Sequence, residues 1–145
     1  MKKLLLTLVA LFLTSPLLAA DLDWMTDLSK AQANAKEAKK LVFVEFTGSD
    51  WCPPCKKLNA DILSTPEFVE FAKKSLVLVE LDFPRTKAQS DELKAANREL
   101  SKKFGIRGFP TVLVLDGEGK ELNRMVGFGG GSPKDYISKL EGLKK

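Results

Sequence analysis

The sequence predicts one α/β domain, with helices on both faces of a mixed sheet of about four strands. Three observations carry this. Short runs rich in β-branched and aromatic residues alternate with apolar positions at helical spacing. The first two such runs flank a helical stretch, which implies a right-handed crossover and a parallel pair. The last two are joined by Asp116-Gly117-Glu118-Gly119, turn chemistry that makes an antiparallel hairpin.

The elements follow in order. Trp24, Leu28, Ala31, Ala35 and Ala38 recur at helical spacing in a stretch without Gly or Pro, predicting a helix over residues 23–39. Residues 41–46, Leu-Val-Phe-Val-Glu-Phe, read as a buried strand. Cys55, Leu58 and Ile62 mark a helix that starts at Pro53 and Pro54. Thr65-Pro66 caps a further turn or two through Phe68 and Phe71. Residues 76–81 form a second buried strand, left by the loop Asp82-Phe83-Pro84-Arg85. Leu93, Ala96, Leu100 and Phe104 place a helix at about residues 90–103. Residues 111–115 and 121–126 form the hairpin. Ser132-Pro133 caps a last helix with Tyr136, Ile137, Leu140 and Leu143 on its inner face. The order is α-β-α-β-α-β-β-α, with no strand expected ahead of the first helix.

Residues 1–20 stand apart. Met1-Lys2-Lys3 is followed by an apolar run, a break at Thr14-Ser15-Pro16 and small residues before Asp21. This pattern predicts a secretory signal peptide and a mature domain over residues 21–145. An uncleaved membrane anchor is the other reading. Against it, the run is broken by Pro16 and falls short of the about 20 residues a span needs. No Cys follows the run to carry a lipid.

Among the 145 residues there is no histidine, so the usual neutral-pH base and metal ligand are missing. Lys2 and Lys3 are the only charged residues of the leader, and without them the net charge falls from +4 to +2. That excess is too small to argue for nucleic acid.

The chemistry concentrates in Trp51-Cys52-Pro53-Pro54-Cys55-Lys56, which holds both cysteines of the chain. A structural bridge three residues long closes too small a loop to stabilise much. A structural zinc site needs four N or S ligands, and the chain has two thiols and no imidazole. A redox couple fits best: a dithiol at a helix start can open and close with little backbone movement. Cys52, at the exposed helix N-terminus, is then the attacking thiolate. Cys55, one turn inward, is the resolving thiol. Trp51 either shields this site or is an ordinary packing residue. No cofactor or metal is expected.

Val44-Glu45-Phe46-Thr47-Gly48-Ser49-Asp50-Trp51-Cys52-Pro53-Pro54-Cys55-Lys56-Lys57-Leu58 resembles the active-site segment of the thioredoxin superfamily. The stretch from Phe104 through Gly108-Phe109-Pro110 to Glu121 is similar to its second signature. The resemblance implies a thioredoxin-like fold and exchange of protein disulfides and dithiols. The branch it suggests is that of exported, periplasmic disulfide-reducing domains. By the same resemblance the protein acts as a monomer, with electrons supplied by a partner such as a membrane reductase.

It also implies that Pro110 is a cis-proline facing the cysteines, leaving Phe109 free to pair with an extended substrate. Without the cysteine motif, Gly108-Phe109-Pro110 reads as a strand-entry turn. Gly127 resembles the glycine that floors the same groove. Glu45 matches the buried acid of the family and is the candidate proton acceptor for Cys55. Its alternative is a strand-edge residue reaching solvent, and Asp50 is the alternative acid. The family often pairs that acid with a Lys on the neighbouring strand, and residues 76–81 contain none. Gly129-Gly130-Gly131 lacks the Lys of a phosphate loop and reads as a flexible connection.

The prolines bear on redox direction. Proline has no N–H, so Pro53 and Pro54 remove donors a Cys52 thiolate could use. Strong oxidases depend on a stabilised reduced form. The expectation is a reductant or an exchanger of intermediate potential, although a stiffened loop acts in the opposite sense. The alternatives are a disulfide oxidase or isomerase, and a thioredoxin-like binding module whose cysteines stay bridged.

Overall fold

Asp27 decides where the first helix begins. Its carboxylate accepts a hydrogen bond from the Lys30 N–H at 3.0 Å, capping α1 (Leu28–Ala38). The computed structural model describes residues 21–144, and the leader assigned to residues 1–20 lies outside them. The chain ahead of the cap is extended. Trp24–Met25 forms β1, paired in parallel with Leu78 and Val79. This corrects two expectations: the helix does not reach residue 23, and the sheet has five strands rather than four. A two-residue strand is too short to show a period of two, and Trp24 also fits the helical spacing that follows it.

The remaining elements are β2 (Leu41–Thr47), α2 (Pro53–Leu58), α3 (Pro66–Ser75) and β3 (Leu76–Asp82). They continue with α4 (Asp91–Lys103), β4 (Thr111–Leu115), β5 (Glu121–Val126) and α5 (Pro133–Glu141). Residues Asn59–Leu63 extend α2 as a wider π-helical turn. Thr65, Ser90 and Ser132 each cap the helix that follows. The helix behind Thr65 is longer than the turn or two the sequence suggests. In the hairpin, Asp116 Oδ1 accepts from the Glu118 and Lys120 N–H groups, both at 2.9 Å.

The strand order is β1-β3-β2-β4-β5. The first three strands run parallel, and β4 and β5 are antiparallel to their neighbours. β2 is therefore central, and every one of its residues is buried. Its alternation divides the core. Leu41 and Phe43 face α2, α3 and α5, whereas Val42, Val44 and Phe46 face α1 and the end of α4. Glu45 follows Phe43 on the first of these faces, the one that carries the cysteines.

Phe43 centres that layer. Its ring lies 6.2 Å from Trp24, 5.7 Å from Phe68 and 6.5 Å from Tyr136, joining β1, α3 and α5 to the sheet. Truncating it opens a cavity that four rigid elements cannot close. Phe43→Ala should cost about 3–5 kcal/mol, read as a lower urea midpoint at an unchanged m-value.

Candidate active site

The site grows from the end of β2. Gly48 turns the chain, and its carbonyl accepts from the N–H groups of Trp51 (3.1 Å) and Cys52 (2.9 Å). Cys52 is extended and caps α2. Pro53 and Pro54 fill the first helical positions, so Cys55 supplies the first available N–H. It points at Cys52 Sγ, 3.4 Å away. Cys52 and Cys55 are joined as a disulfide with Cα atoms 5.3 Å apart. The prolines thus remove two donors and leave one aimed at the sulfur of Cys52.

Cys52 is 3% exposed and Cys55 2%. This corrects the expectation of an exposed Cys52; in the disulfide form both are covered. Each borders a different cavity. The Cys52 side is an apolar groove of about 480 Å³ lined by Trp51, Pro53, Pro54, Ile106, Arg107, Gly108 and Phe109. The Cys55 side is a polar cavity of about 420 Å³, which Glu45, Glu80, Thr47, Ser49, Lys56 and Lys87 also line.

Trp51, Gly108 and Phe109 therefore share the groove with Cys52. The Phe109–Pro110 bond is cis. Pro110 and Gly127 are not among the groove's lining residues. Gly127 has φ 75° and donates its N–H to the Pro110 carbonyl at 2.7 Å, so it supports the turn rather than flooring the groove.

Trp51 is held from several sides. Its Nε1–H donates to the Phe83 carbonyl at 2.8 Å. Its ring meets Phe109 edge-on at 6.0 Å, and Phe109 stacks on Phe83 at 5.0 Å. The Arg85 guanidinium lies 3.9 Å above the Trp51 ring. A Cβ on Gly48 would come within 2.5 Å of Trp51 Cε2, so only glycine lets the ring lie there.

Asp50 is a clamp for the loop after β3. It accepts from the N–H groups of Arg85 (3.0 Å), Thr86 (2.6 Å) and Lys87 (3.0 Å) and from the Thr86 hydroxyl (2.7 Å). The Thr86 hydroxyl and the loop amides hold its carboxyl well below the usual carboxylate range. Asp50 is committed to this loop and is not the acid of the cysteine pair.

Glu45 is 4% exposed on the central strand, which removes the strand-edge reading. Burial, with the Glu80 charge beside it, pushes its carboxyl up to about 8, against an opposing contribution from the Thr47 hydroxyl. Among the described residues no group of three or more His, Cys, Asp or Glu side chains is arranged to hold a metal ion.

The sequence reading missed Glu80, Arg85, Lys87 and Arg107. The period of two over residues 76–81 carries a signal for Glu80, since it puts that residue on the face of Leu76 and Leu78. Arg85, Lys87 and Arg107 come from loops, where no period exists.

Among the described residues no helix is long and apolar enough to cross a membrane. A covered CXXC disulfide at a helix start, between an apolar groove and a buried acid, defines a protein of thiol–disulfide exchange. The thioredoxin-like domain family matches residues 28–143, and the chain belongs to it. It is a thioredoxin-like thiol–disulfide oxidoreductase. It is 39% identical over 132 residues to the disulfide bond reductase DsbH of Chlamydia pneumoniae, covering 91% of this chain and 78% of that protein. A solved structure of a DsbH oxidoreductase superposes with TM-score 0.79 at 38% identity, covering 93% of this chain and 92% of that one. The thioredoxin-related protein DsbJ of the same organism is 34% identical over 73% of this chain, a match that spans 30% of DsbJ.

The raised acid has a consequence for stability. In the unfolded chain Glu45 ionises near 4.5, and in the fold near 8. Between these values the folded state holds the proton the unfolded state has lost. Stability is therefore greatest below pH 4.5 on this account and falls as pH rises through about 8, by at most about 1.4 kcal/mol per pH unit. Urea unfolding from pH 5 to 8 should show this decline, and Glu45→Gln should flatten most of it.

Proposed function

We propose that this protein is exported and reduces disulfide bonds in other exported proteins. The observation that carries the reading is the Cys52–Cys55 pair set between an apolar groove and a cavity holding a largely neutral acid. The disulfide reductase DsbH, to which the chain is similar, supports the reductive direction. The leader pattern of residues 1–20 supports export, with the periplasm as the compartment.

The chemistry runs in two displacements. The Cys52 thiolate attacks one sulfur of the substrate disulfide, forming a mixed disulfide and releasing the first substrate thiolate. Cys55 then gives its proton to Glu45 in its ionised form, the minor fraction at neutral pH, and attacks Cys52 Sγ. The second substrate thiolate leaves and the Cys52–Cys55 disulfide closes, so two electrons pass to the substrate. At about 8, Glu45 can both take up and return a proton near neutral pH. Trp51, Gly108 and Phe109 present the groove to the substrate chain, with Pro110 and Gly127 as its support. A partner dithiol, supplied by a membrane reductase, returns the protein to its reduced form.

Trapping tests this. Cys55→Ser should accumulate mixed disulfides with exported proteins, and Cys52→Ser should accumulate none. Equal trapping by both, or none by either, would contradict the reading. The potential should lie well below the about −120 mV of a strong oxidase. A value that oxidising would reverse the proposed direction. The mature N-terminus, read by mass spectrometry of the exported protein, should be Asp21.

A further inference from the structure

Glu45 does not face the cysteine pair alone. In the parallel register of β2 on β3, Glu45 lies opposite Glu80. Partners in register project to the same face about 5 Å apart. Both carboxyls line the cavity that Cys55 borders, and Glu80 is the more exposed.

The groups around them favour an unequal pair. Asp82, next on the same face of β3, is occupied by the Ser49 N–H (2.9 Å) and hydroxyl (2.6 Å). Lys87 Nζ donates to Ser49 Oγ at 2.9 Å, which places a cation over the β3 side, where it favours the ionised form of Glu80. Burial first, and the Asp82 charge second, raise the Glu80 carboxyl above its usual range, and the Lys87 cation only partly offsets them. Lys56 and Asn59 line the wall with Cys55. From α5, Tyr136 brings a neutral phenol, since burial and Glu45 raise it further above its usual range. Glu80 is the more solvent-exposed of the two and has Lys87 on its side, so it is the one that ionises first, and its charge then opposes ionisation of Glu45.

We propose that Glu80 is a positioning residue whose charge keeps the proton on Glu45, so that Glu45 meets the Cys52–Cys55 disulfide as an acid. The proposal rests on Glu45 as the proton partner of Cys55. When a donor thiolate attacks Cys52 Sγ, a donor–Cys52 bond forms and the Cys52–Cys55 bond breaks. The electron pair goes to Cys55, and Glu45 supplies its proton. The second donor thiolate then displaces Cys52, leaving the donor as a disulfide and the protein as a dithiol. In the forward reaction the ionised Glu45 takes that proton back.

Glu80 thus biases the two half-reactions in opposite senses, which distinguishes it from a merely structural residue. The test is stopped-flow kinetics from pH 5 to 9, with dithiothreitol for reduction of the protein and glutathione disulfide for its oxidation. Glu80→Gln should move the Glu45-dependent limb about one pH unit toward acid. At pH 7 the ionised fraction of Glu45 then rises from about one-tenth to about one-half. Closure of the Cys52–Cys55 disulfide should be about fivefold faster and its reduction about twofold slower. Glu80→Asp, which keeps the charge, should stay near the parent.

An unchanged profile in Glu80→Gln, with the limb lost in Glu45→Gln, overturns the proposal and leaves the reading of Glu45 standing. A limb that survives Glu45→Gln overturns both. Rates that move together in both directions in Glu80→Gln mark a structural effect and also overturn the proposal.

Discussion

A carboxyl group lies in the middle of a strand that is buried along its whole length, and the architecture of the site depends on that placement. β2 is central because a parallel neighbour flanks it on one side and the hairpin on the other. Parallel strands deliver their connections to the same end of the sheet. The loop after β2 carries Trp51 and Cys52, and the loop after β3 carries Arg85 and Lys87. The two loops meet, and Glu45 sits just beneath them on the strand that leads there. An ionised carboxylate at such a position is heavily penalised, and the protein meets this by holding the proton. What weakens the fold at higher pH is also, in the proposed mechanism, the source of a proton beside the cysteines.

The disulfide is a boundary as much as a bond. Its two residues border cavities of different character, one apolar, the other polar and acid-lined. In the proposed mechanism, attack and proton transfer are thereby separated in space. The two prolines sharpen this arrangement, because they silence the first two N–H groups of α2 and leave the Cys55 N–H facing Cys52 Sγ.

Much of this was legible in the sequence, and the exceptions have physical causes. The central strands were readable because burial on both faces demands continuous apolar runs, as in residues 41–46 and 76–81. Asp116, Thr65 and Ser132 were readable because turn and cap chemistry is local. β1 was not, since a two-residue edge strand exists only by pairing with β3. Glu80 was passed over because its place was searched for a lysine. The lysines that line the cavity are Lys56, on α2, and Lys87, beyond the end of the strand. The covering of Cys52 depends on residues distant in sequence, such as Phe109 and Ile106, which no local pattern places beside it.

Asp50 gives the two cavities a common hinge pin. The backbone it grips holds Arg85 over the indole on the substrate side and Lys87 over the carboxylates on the proton side, two residues apart. Neither cation can be displaced far without loosening the other. One carboxylate therefore anchors both the cation over Trp51 and the cation at the acid cavity, and the two faces of the disulfide share a single support.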